Sequence, residues 1–162
     1  MKKRVKRANK KIKNASPLEV NGIKFRSKLE AFTYRHLKSA GIKNVKYEEH
    51  KFVLQEAFES KIDSFEDYEK TSKGSKIRGY DEAEKKIRSI TYLPDFVCID
   101  EHTKTGWIIE CKGYSNDSFP LKWKMFKKHL HDNGYNITLF KPNNQKNVLR
   151  TIEIITNMYK NK

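Results

Sequence analysis

The sequence has few of the features that mark a secreted or membrane-embedded protein. Only two of its 162 residues are cysteines, Cys98 and Cys111, and their spacing matches neither a disulfide framework nor a zinc site. No apolar run approaches the roughly 18 to 20 residues that span a bilayer. No apolar signal core follows the basic amino terminus. We therefore expect a cytoplasmic protein whose two thiols are reduced and packed in the core.

Acidic residues are too few to balance the basic ones. Thirty-five Lys and Arg stand against 20 Asp and Glu, which gives a net charge of +15 at pH 7. This excess predicts a polyanionic partner, with nucleic acid as the first candidate and an anionic membrane surface as the second. Residues 1–16 are predicted to form a basic flexible arm, and a solvated tail without a role is the alternative. The arm residues expected to bind DNA are Lys2, Lys3, Arg4, Lys6, Arg7, Lys10 and Lys11.

Two apolar segments joined by a polar turn are predicted to form a β-hairpin with an acidic site. The first segment starts at Asp95, the second ends in Glu110-Cys111-Lys112, and residues 100–106 form the turn. Because alternate strand residues share a face, Glu110 and Lys112 project together while Cys111 points into the core. If Asp95 lies beside Glu110, two carboxylates converge. That donor set suits Mg²⁺, which keeps several waters.

The same residues have a simpler interpretation. A turn at Asp95 and an exposed ion pair between Glu110 and Lys112 would explain them without any chemistry, and such a pair contributes less than ~1 kcal/mol. The apolar neighbours of Glu110 indicate a partly buried carboxylate instead. A buried carboxylate is costly unless it is paired or bound to a metal, so we prefer the metal site.

Pro94-Asp95, a spacer and Glu110-Cys111-Lys112 resemble the signature of the restriction-endonuclease-like PD-(D/E)xK nucleases. The flanking residues look most like the phage endonuclease I type of Holliday-junction resolvases and related phage endonucleases. The resemblance covers residues 23–159, and we expect a nuclease domain at 17–162. It implies an α/β fold with a mixed central sheet flanked by helices, working in a bacterial or phage-infected host cell.

The resemblance also implies roles for individual residues. Asp95, Glu110 and the Cys111 backbone carbonyl would bind Mg²⁺, for which Mn²⁺ is expected to substitute. Glu30 on the first predicted helix would be a further ligand, and Lys112 would position the attacking water. The catalytic set is therefore Glu30, Asp95, Glu110 and Lys112. Glu30 has a local alternative, since residues 27–30 match a capping box in which its carboxylate stabilises the helix start.

Hydrophobic periodicity and turn residues predict the remaining elements. An Asn-Gly pair at residues 21–22 predicts a short hairpin. The polar segment 55–89 is interpreted as an insertion with one short helix near residues 81–88, and substrate selection and an inert loop remain open for it. The expected helices are 27–40, 120–131 and 148–159, and the expected strands are 45–54 and 135–141.

The second of these helices is strongly basic and follows the acidic hairpin. Its lysines expected to contact the DNA backbone are Lys122, Lys124, Lys127 and Lys128. Trp123 is expected to pack within the protein, with stacking on a nucleotide as the alternative. Glu48, Glu49 and His50 are interpreted as an exposed strand face and not as metal ligands.

Together these features predict a Mg²⁺-dependent DNA endonuclease that hydrolyses phosphodiester bonds. The resemblance favours a resolvase of branched DNA, acting in recombination as a symmetric homodimer. A sequence-specific nicking or homing-type phage endonuclease and a transposase-associated cleavage subunit are alternatives on the same site. A non-catalytic nucleic-acid-binding module is the alternative of another class. Metal-dependent cleavage would separate this module from all the enzymes.

Overall fold

The computed structural model describes residues 18–72, 74–113 and 118–160. The helices in these ranges are α1 (Lys28–Ser39), α2 (Phe119–Asp132) and α3 (Gln145–Lys160). The strands, in chain order, are β1 (Leu18–Val20), β2 (Ile23–Phe25), β3 (Lys46–Tyr47), β4 (Phe52–Gln55), β5 (Phe58–Glu59), β6 (Phe65–Ser72), β7 (Ser75–Glu82), β8 (Lys86–Ile87), β9 (Ile90–Tyr92), β10 (Phe96–Asp100), β11 (Thr105–Ile109) and β12 (Asn136–Phe140). No helix in these ranges is long and apolar enough to cross a membrane.

The chain divides into two compact units. The main unit contains the described residues up to His50 and those from Pro94 onward. The inserted unit is Lys51–Leu93, and it includes the whole of the polar segment interpreted as an insertion at 55–89.

A four-stranded mixed sheet lies at the centre of the main unit, in the order β12-β11-β10-β3. β10 is antiparallel to both β11 and β3, whereas β12 runs parallel to β11. Parallel neighbours need a long crossover, and α2 provides it between β11 and β12. The mixed sheet and the three helices confirm the expected α/β class.

One face of this sheet packs against α1 and α3. The buried apolar residues of this core are Phe25, Ala31, Leu37, Ile42, Phe96, Trp107, Ile109, Cys111, Val148, Ile152 and Ile155. Thr33 Oγ1 on α1 lies 3.3 Å from Cys111 Sγ. The core therefore fixes α1 next to the segment that follows β11, where the predicted site residues Glu110 and Lys112 stand. The opposite face of the hairpin buries Val97 and Ile108.

The helices predicted at 27–40, 120–131 and 148–159 are all present. Ser27 caps α1, because its Oγ accepts a hydrogen bond of 3.2 Å from the Glu30 N–H. Gly41 follows this helix with a φ of +70°, a conformation that suits glycine. Pro120 lies in the first turn of α2, where its missing N–H costs nothing.

The predicted hairpin around Asn21-Gly22 is also present. β1 and β2 are antiparallel, with Leu18 opposite Phe25 and Val20 opposite Ile23. Both turn residues have positive φ, as a two-residue hairpin turn of this kind requires. The turn directs Phe25 into the core, where its ring centroid lies 4.6 Å from that of Tyr47.

The predicted single strand at 45–54 is wrong. β3 ends at Tyr47 and β4 begins only at Phe52. Glu48 interrupts the strand because it has a φ of +49°, in the left-handed region. A tertiary contact accompanies this conformation, since the Glu48 N–H donates a hydrogen bond of 3.0 Å to the Asp95 carbonyl oxygen.

The inserted unit consists of three antiparallel strand pairs: β4 with β9, β5 with β8, and β6 with β7. The helix predicted near residues 81–88 is wrong, because β7 continues to Glu82 and β8 covers Lys86–Ile87. Strand pairing with β6 and β5 overrides the local helix preference of this charged segment.

Candidate active site

Two buried carboxylates occupy neighbouring positions at the open end of the β10–β11 hairpin. Phe96 pairs with Ile109, so Asp95 and Glu110 come next along the ladder. The Cys111 N–H donates a hydrogen bond of 2.6 Å to Asp95 Oδ2 and joins the two segments. Asp95 is only 9% exposed and Glu110 only 6%. The structure thus brings together Asp95 and Glu110, two of the four residues predicted to bind the metal.

Lys112 lies beside this pair. Its Nζ is 3.8 Å from Glu110 Oε1, and its side chain is 29% exposed. The backbone around it is held by the end of β12 and the residues just after it, since the Glu110 N–H donates to the Phe140 carbonyl oxygen and the Lys112 N–H to that of Pro142. Glu110 and Lys112 therefore share one side of the chain, and the ammonium group has access to solvent.

Glu30 is buried on the first turn of α1 and accepts three hydrogen bonds. Its Oε1 accepts from Ser27 Oγ at 2.7 Å, and its Oε2 accepts from the Arg26 N–H at 2.9 Å and the Tyr47 hydroxyl at 2.6 Å. A carboxylate has about four acceptor positions, so roughly one remains for a cation. Glu30 acts as a helix cap and lies within electrostatic range of Asp95.

Glu48 is a fourth carboxylate close to the site, and sequence reasoning set it aside. Its N–H donates to the Asp95 carbonyl oxygen, its side chain pairs with Arg26 Nε at 3.0 Å, and its charge acts on Asp95. Its left-handed backbone turns the chain at the end of β3. Neither the pairing of β3 with β10 nor this conformation leaves a signal in the local sequence.

The electrostatics of the site oppose full ionisation. Burial raises the pKa of Asp95 well above its usual range, and the charges of Glu110, Glu30 and Glu48 raise it further. The hydrogen bond from the Cys111 N–H acts in the opposite direction. Burial also raises the pKa of Glu48, while the Arg26 charge lowers it. A bound cation would relieve this repulsion.

The chemistry of the donors fits a hard cation. Carboxylate oxygens are the ligands that Mg²⁺ prefers, and it commonly uses one or two of them and keeps several waters. Across residues 18–72, 74–113 and 118–160, no group of three or more His, Cys, Asp or Glu side chains is arranged to hold a metal ion. The Asp95 and Glu110 pair fits a site with two protein carboxylates, and Mg²⁺ binding stays a prediction.

Comparison with known proteins gives one family. A family model described as protein of unknown function, DUF1064, matches residues 9–141. The chain belongs to the DUF1064 family. No curated protein and no solved structure matched it. The matched region of this DUF1064 protein contains Glu30, Asp95, Glu110 and Lys112.

The DUF1064 chain has a second cation near Lys112 that sequence reasoning missed. Phe119, the first residue of α2, lies under both ammonium groups, with its ring centroid 4.8 Å from Lys112 Nζ and 5.6 Å from Lys141 Nζ. Lys141 directly follows β12, which runs parallel to β11. Recognising the β11-α2-β12 segment as a parallel crossover unit could have predicted that the two lysines lie close together.

The residues predicted to bind DNA fall into two groups. The α2 lysines are exposed: Lys122, Lys124, Lys127 and Lys128. Of these, Lys128 forms an ion pair with Asp132, and Lys127 lies over the ring of Trp123. Trp123 itself is buried beside Phe119 and Phe126, which confirms that it packs within the protein. The arm residues Lys2, Lys3, Arg4, Lys6, Arg7, Lys10 and Lys11 lie outside the described residues.

Proposed function

We propose that this chain is a metal-dependent endodeoxyribonuclease with a restriction-endonuclease-like core. The observation that carries the proposal is the buried Asp95 and Glu110 pair, with Lys112 Nζ 3.8 Å from Glu110 Oε1. Burying two carboxylates together is costly, and a hairpin needs neither of them for folding. Buried carboxylates whose pKa is strongly raised cluster at functional sites.

In the proposed reaction, Asp95, Glu110 and the Cys111 backbone carbonyl would hold Mg²⁺ or Mn²⁺, and Glu30 would be a further ligand. When bound, the metal would supply Lewis-acid stabilisation of the charge that develops on the phosphoryl and leaving oxygens. Lys112 hydrogen-bonds the attacking water and directs it to the phosphorus. The water oxygen forms a bond to phosphorus and releases one proton to solvent, the ester P–O bond breaks, and the leaving oxygen takes up a proton from solvent.

The basic groups around the site support DNA as the substrate. Lys112 and Lys141 flank the start of α2, where helix N–H groups also favour an anion. The exposed lysines of α2 continue this cationic surface. Branched DNA is the proposed substrate, cut by a resolvase that acts as a homodimer in a bacterial or phage-infected host cell. Sequence-specific nicking is the alternative on the same residues.

A nucleic-acid-binding module without chemistry is the second candidate. It is favoured by the hydrogen bonds of Glu30, whose oxygens already accept from Ser27, Arg26 and Tyr47. A module of this kind would use the cationic groups and leave the acidic pair without a catalytic role.

Cleavage assays test the proposal directly. A labelled four-way junction and a linear duplex of the same sequence are incubated with the full chain in Mg²⁺ or in EDTA. We expect Mg²⁺-dependent nicks that favour the junction and that disappear in Asp95→Asn, because the variant loses a charged metal ligand while retaining its shape. Binding of the junction should persist or tighten, since negative charge next to the phosphates is removed.

Asp63→Asn is the matched control, because Asp63 lies in the inserted unit and pairs with Lys85 at the surface. This variant should cleave like the wild type. Full activity of Asp95→Asn would contradict the mechanism. If the wild type and both variants bind the junction but none cleaves it, in Mg²⁺ or in Mn²⁺, the result would favour the binding module.

A further inference from the structure

The strands β6 and β7 form a long two-stranded ribbon in the inserted unit. In the part of the chain that the structure describes, they pair only with each other. All side chains of β7 are exposed except at Gly79, which is partly covered. Two-stranded ribbons are at best marginally stable in water, and an uncovered strand edge is a template for another strand. The ribbon therefore has the form of an interaction element.

Its charge argues for a protein partner and against nucleic acid. The inserted unit, Lys51–Leu93, contains nine basic and nine acidic residues, so the remainder of the chain carries the whole net charge of +15. Along β7 the charges are segregated. Lys76 and Arg78 stand toward the turn, and Asp81 and Glu82 stand toward the other end. A neutral strand with opposite charges at its two ends is complementary to an antiparallel copy of itself.

Symmetry restricts how two β7 strands can pair. Antiparallel copies in one sheet are related by a twofold axis perpendicular to the sheet, which keeps every side chain on its own face. With Gly79 on the axis, Lys76 faces Glu82 of the second copy and Arg78 faces Tyr80 of the second copy. An opposite-charge pair and a cation–π pair then both occur twice on the same face.

The neighbouring registers are worse. An axis through Arg78 places two guanidinium groups opposite each other, and an axis through Tyr80 leaves only residues 78–82 paired. The β6 edge offers no equivalent, because an axis at any of its central residues 67–70 opposes like charges. Gly79 also suits the axis because it has no side chain, and the Tyr68 ring covers it from one face.

We propose that two copies of this protein associate through β7, which pairs antiparallel about a twofold axis at Gly79 and joins the two ribbons into a four-stranded sheet. Tyr80, which is 65% exposed, is covered by Arg78 of the second copy in this arrangement. The inference concerns association and does not require the chemistry proposed above. If that chemistry holds, one dimer carries two cleavage sites.

Charge exchange between two variants tests this interface. Sedimentation of the full chain is measured over a range of concentrations, without DNA and in EDTA. The wild type should form a dimer. Lys76→Glu and Glu82→Lys each oppose like charges twice, so each should weaken the dimer by about tenfold or more. An equimolar mixture should recover a 1:1 heterodimer, since positions 76 and 82 are then both acidic in one copy and both basic in the other.

The mixture also shows whether a variant weakens the dimer only by disturbing its own ribbon, because such a disturbance would persist in the mixture. Lys76 pairs with Glu69 in the same ribbon, and Lys76→Glu disrupts that pair in the mixture as well as alone.

Glu66→Lys and Lys70→Glu, on β6, are matched controls and should leave the dimer intact. A monomeric wild type at every concentration, dimers of the β7 variants as tight as those of the wild type, or a mixture that does not associate would each overturn the proposal. Duplex binding by the same variants is titrated separately, and unchanged association with weaker duplex binding would overturn the proposal and assign the ribbon to nucleic acid instead. Cleavage is not measured in this experiment, so failure of the nuclease proposal leaves its result unaffected.

Discussion

At the scale of single residues, Asp95 combines a proposed catalytic role with a cost to folding. Its side chain is buried among other carboxylates, and its pKa is raised well above the usual range. Between the unfolded pKa, about 3.9, and the higher folded value, the folded state binds a proton that the unfolded state has released. Wild-type stability therefore falls as the pH rises through this interval. Above it, the folded state bears the full cost of the buried Asp95 charge.

Asp95→Asn should consequently raise the Tm at pH 7 in EDTA, while it abolishes cleavage. The gain should shrink as the pH falls to about 4 and below, because Asp95 then becomes neutral in the unfolded state as well as in the folded state. Thermal unfolding of both proteins across this pH range measures the difference. Mg²⁺ should raise the Tm of the wild type and not that of the variant. A variant less stable than the wild type at pH 7 would mean that the hydrogen bond from Cys111 outweighs the buried charge.

Two substitutions separate the capping role of Glu30 from its proposed role as a metal ligand. Ser27→Ala removes the N-cap oxygen and one donor to Glu30, and should cost about 1 kcal/mol of stability without loss of cleavage. Glu30→Gln retains a similar shape but removes the charge, and should reduce cleavage strongly. Urea denaturation and Mg²⁺-dependent nicking are measured on both. Equal cleavage by Glu30→Gln and the wild type would leave Glu30 with its capping role alone.

At the scale of elements, the β10–β11 hairpin determines whether the acidic pair forms. Gly106 lies in β11 with a φ of +144°, which only glycine adopts readily. A Cβ at this position would overlap the Cys98 carbonyl oxygen and lie 2.9 Å from Ile99 Cα. Since both neighbours belong to the backbone of β10, no side-chain rotation can relieve the clash.

Gly106→Ala should therefore destabilise the protein by more than about 3 kcal/mol. Gly134→Ala is the matched control, because Gly134 also has a positive φ but has open space around its Cβ position. It should cost only about 1 kcal/mol. Chemical denaturation gives the loss of unfolding free energy for each variant. Similar losses for the two would show that the hairpin backbone can move to accommodate a Cβ at residue 106.

At the scale of the whole molecule, charge and chemistry are unevenly distributed. The inserted unit carries no net charge, and the candidate catalytic residues all lie in the main unit. Eight Lys and Arg precede Ser16, and the described cations near the site include Lys112 and Lys141. Long-range attraction to DNA and the cleavage step should therefore be separable.

Removal of residues 1–17 should weaken DNA binding and flatten its salt dependence. Each phosphate contact that is lost reduces the slope of log K against log salt by about 0.9, so the slope should fall by up to about 7. Binding titrations at several salt concentrations measure this slope. Cleavage at low salt and saturating protein should stay within a few fold of the wild type. Lys85→Ala with Lys86→Ala, in the inserted unit, is the control and should leave the slope unchanged.

Much of the fold and of the site could be predicted because the relevant signals are local. Apolar periodicity, the Asn21-Gly22 turn and the cap at Ser27 are contained in short segments, and the helices and hairpins they predicted are present. The strand pairs of the inserted unit were missed because its charged residues give no alternating pattern. There, pairing between distant segments decides the structure.

The sequence by itself determined the β10–β11 hairpin and the adjacent positions of Asp95, Glu110 and Lys112, since a strand of fixed periodicity and one turn specify them. Only the tertiary structure brought Glu30, Glu48 and Lys141 to the same place. α1 packs on the sheet, β3 joins β10, and β12 returns parallel to β11 after a helix. These contacts join residues far apart in the chain. Burial and pairing across the whole fold decide them, and no local pattern encodes them.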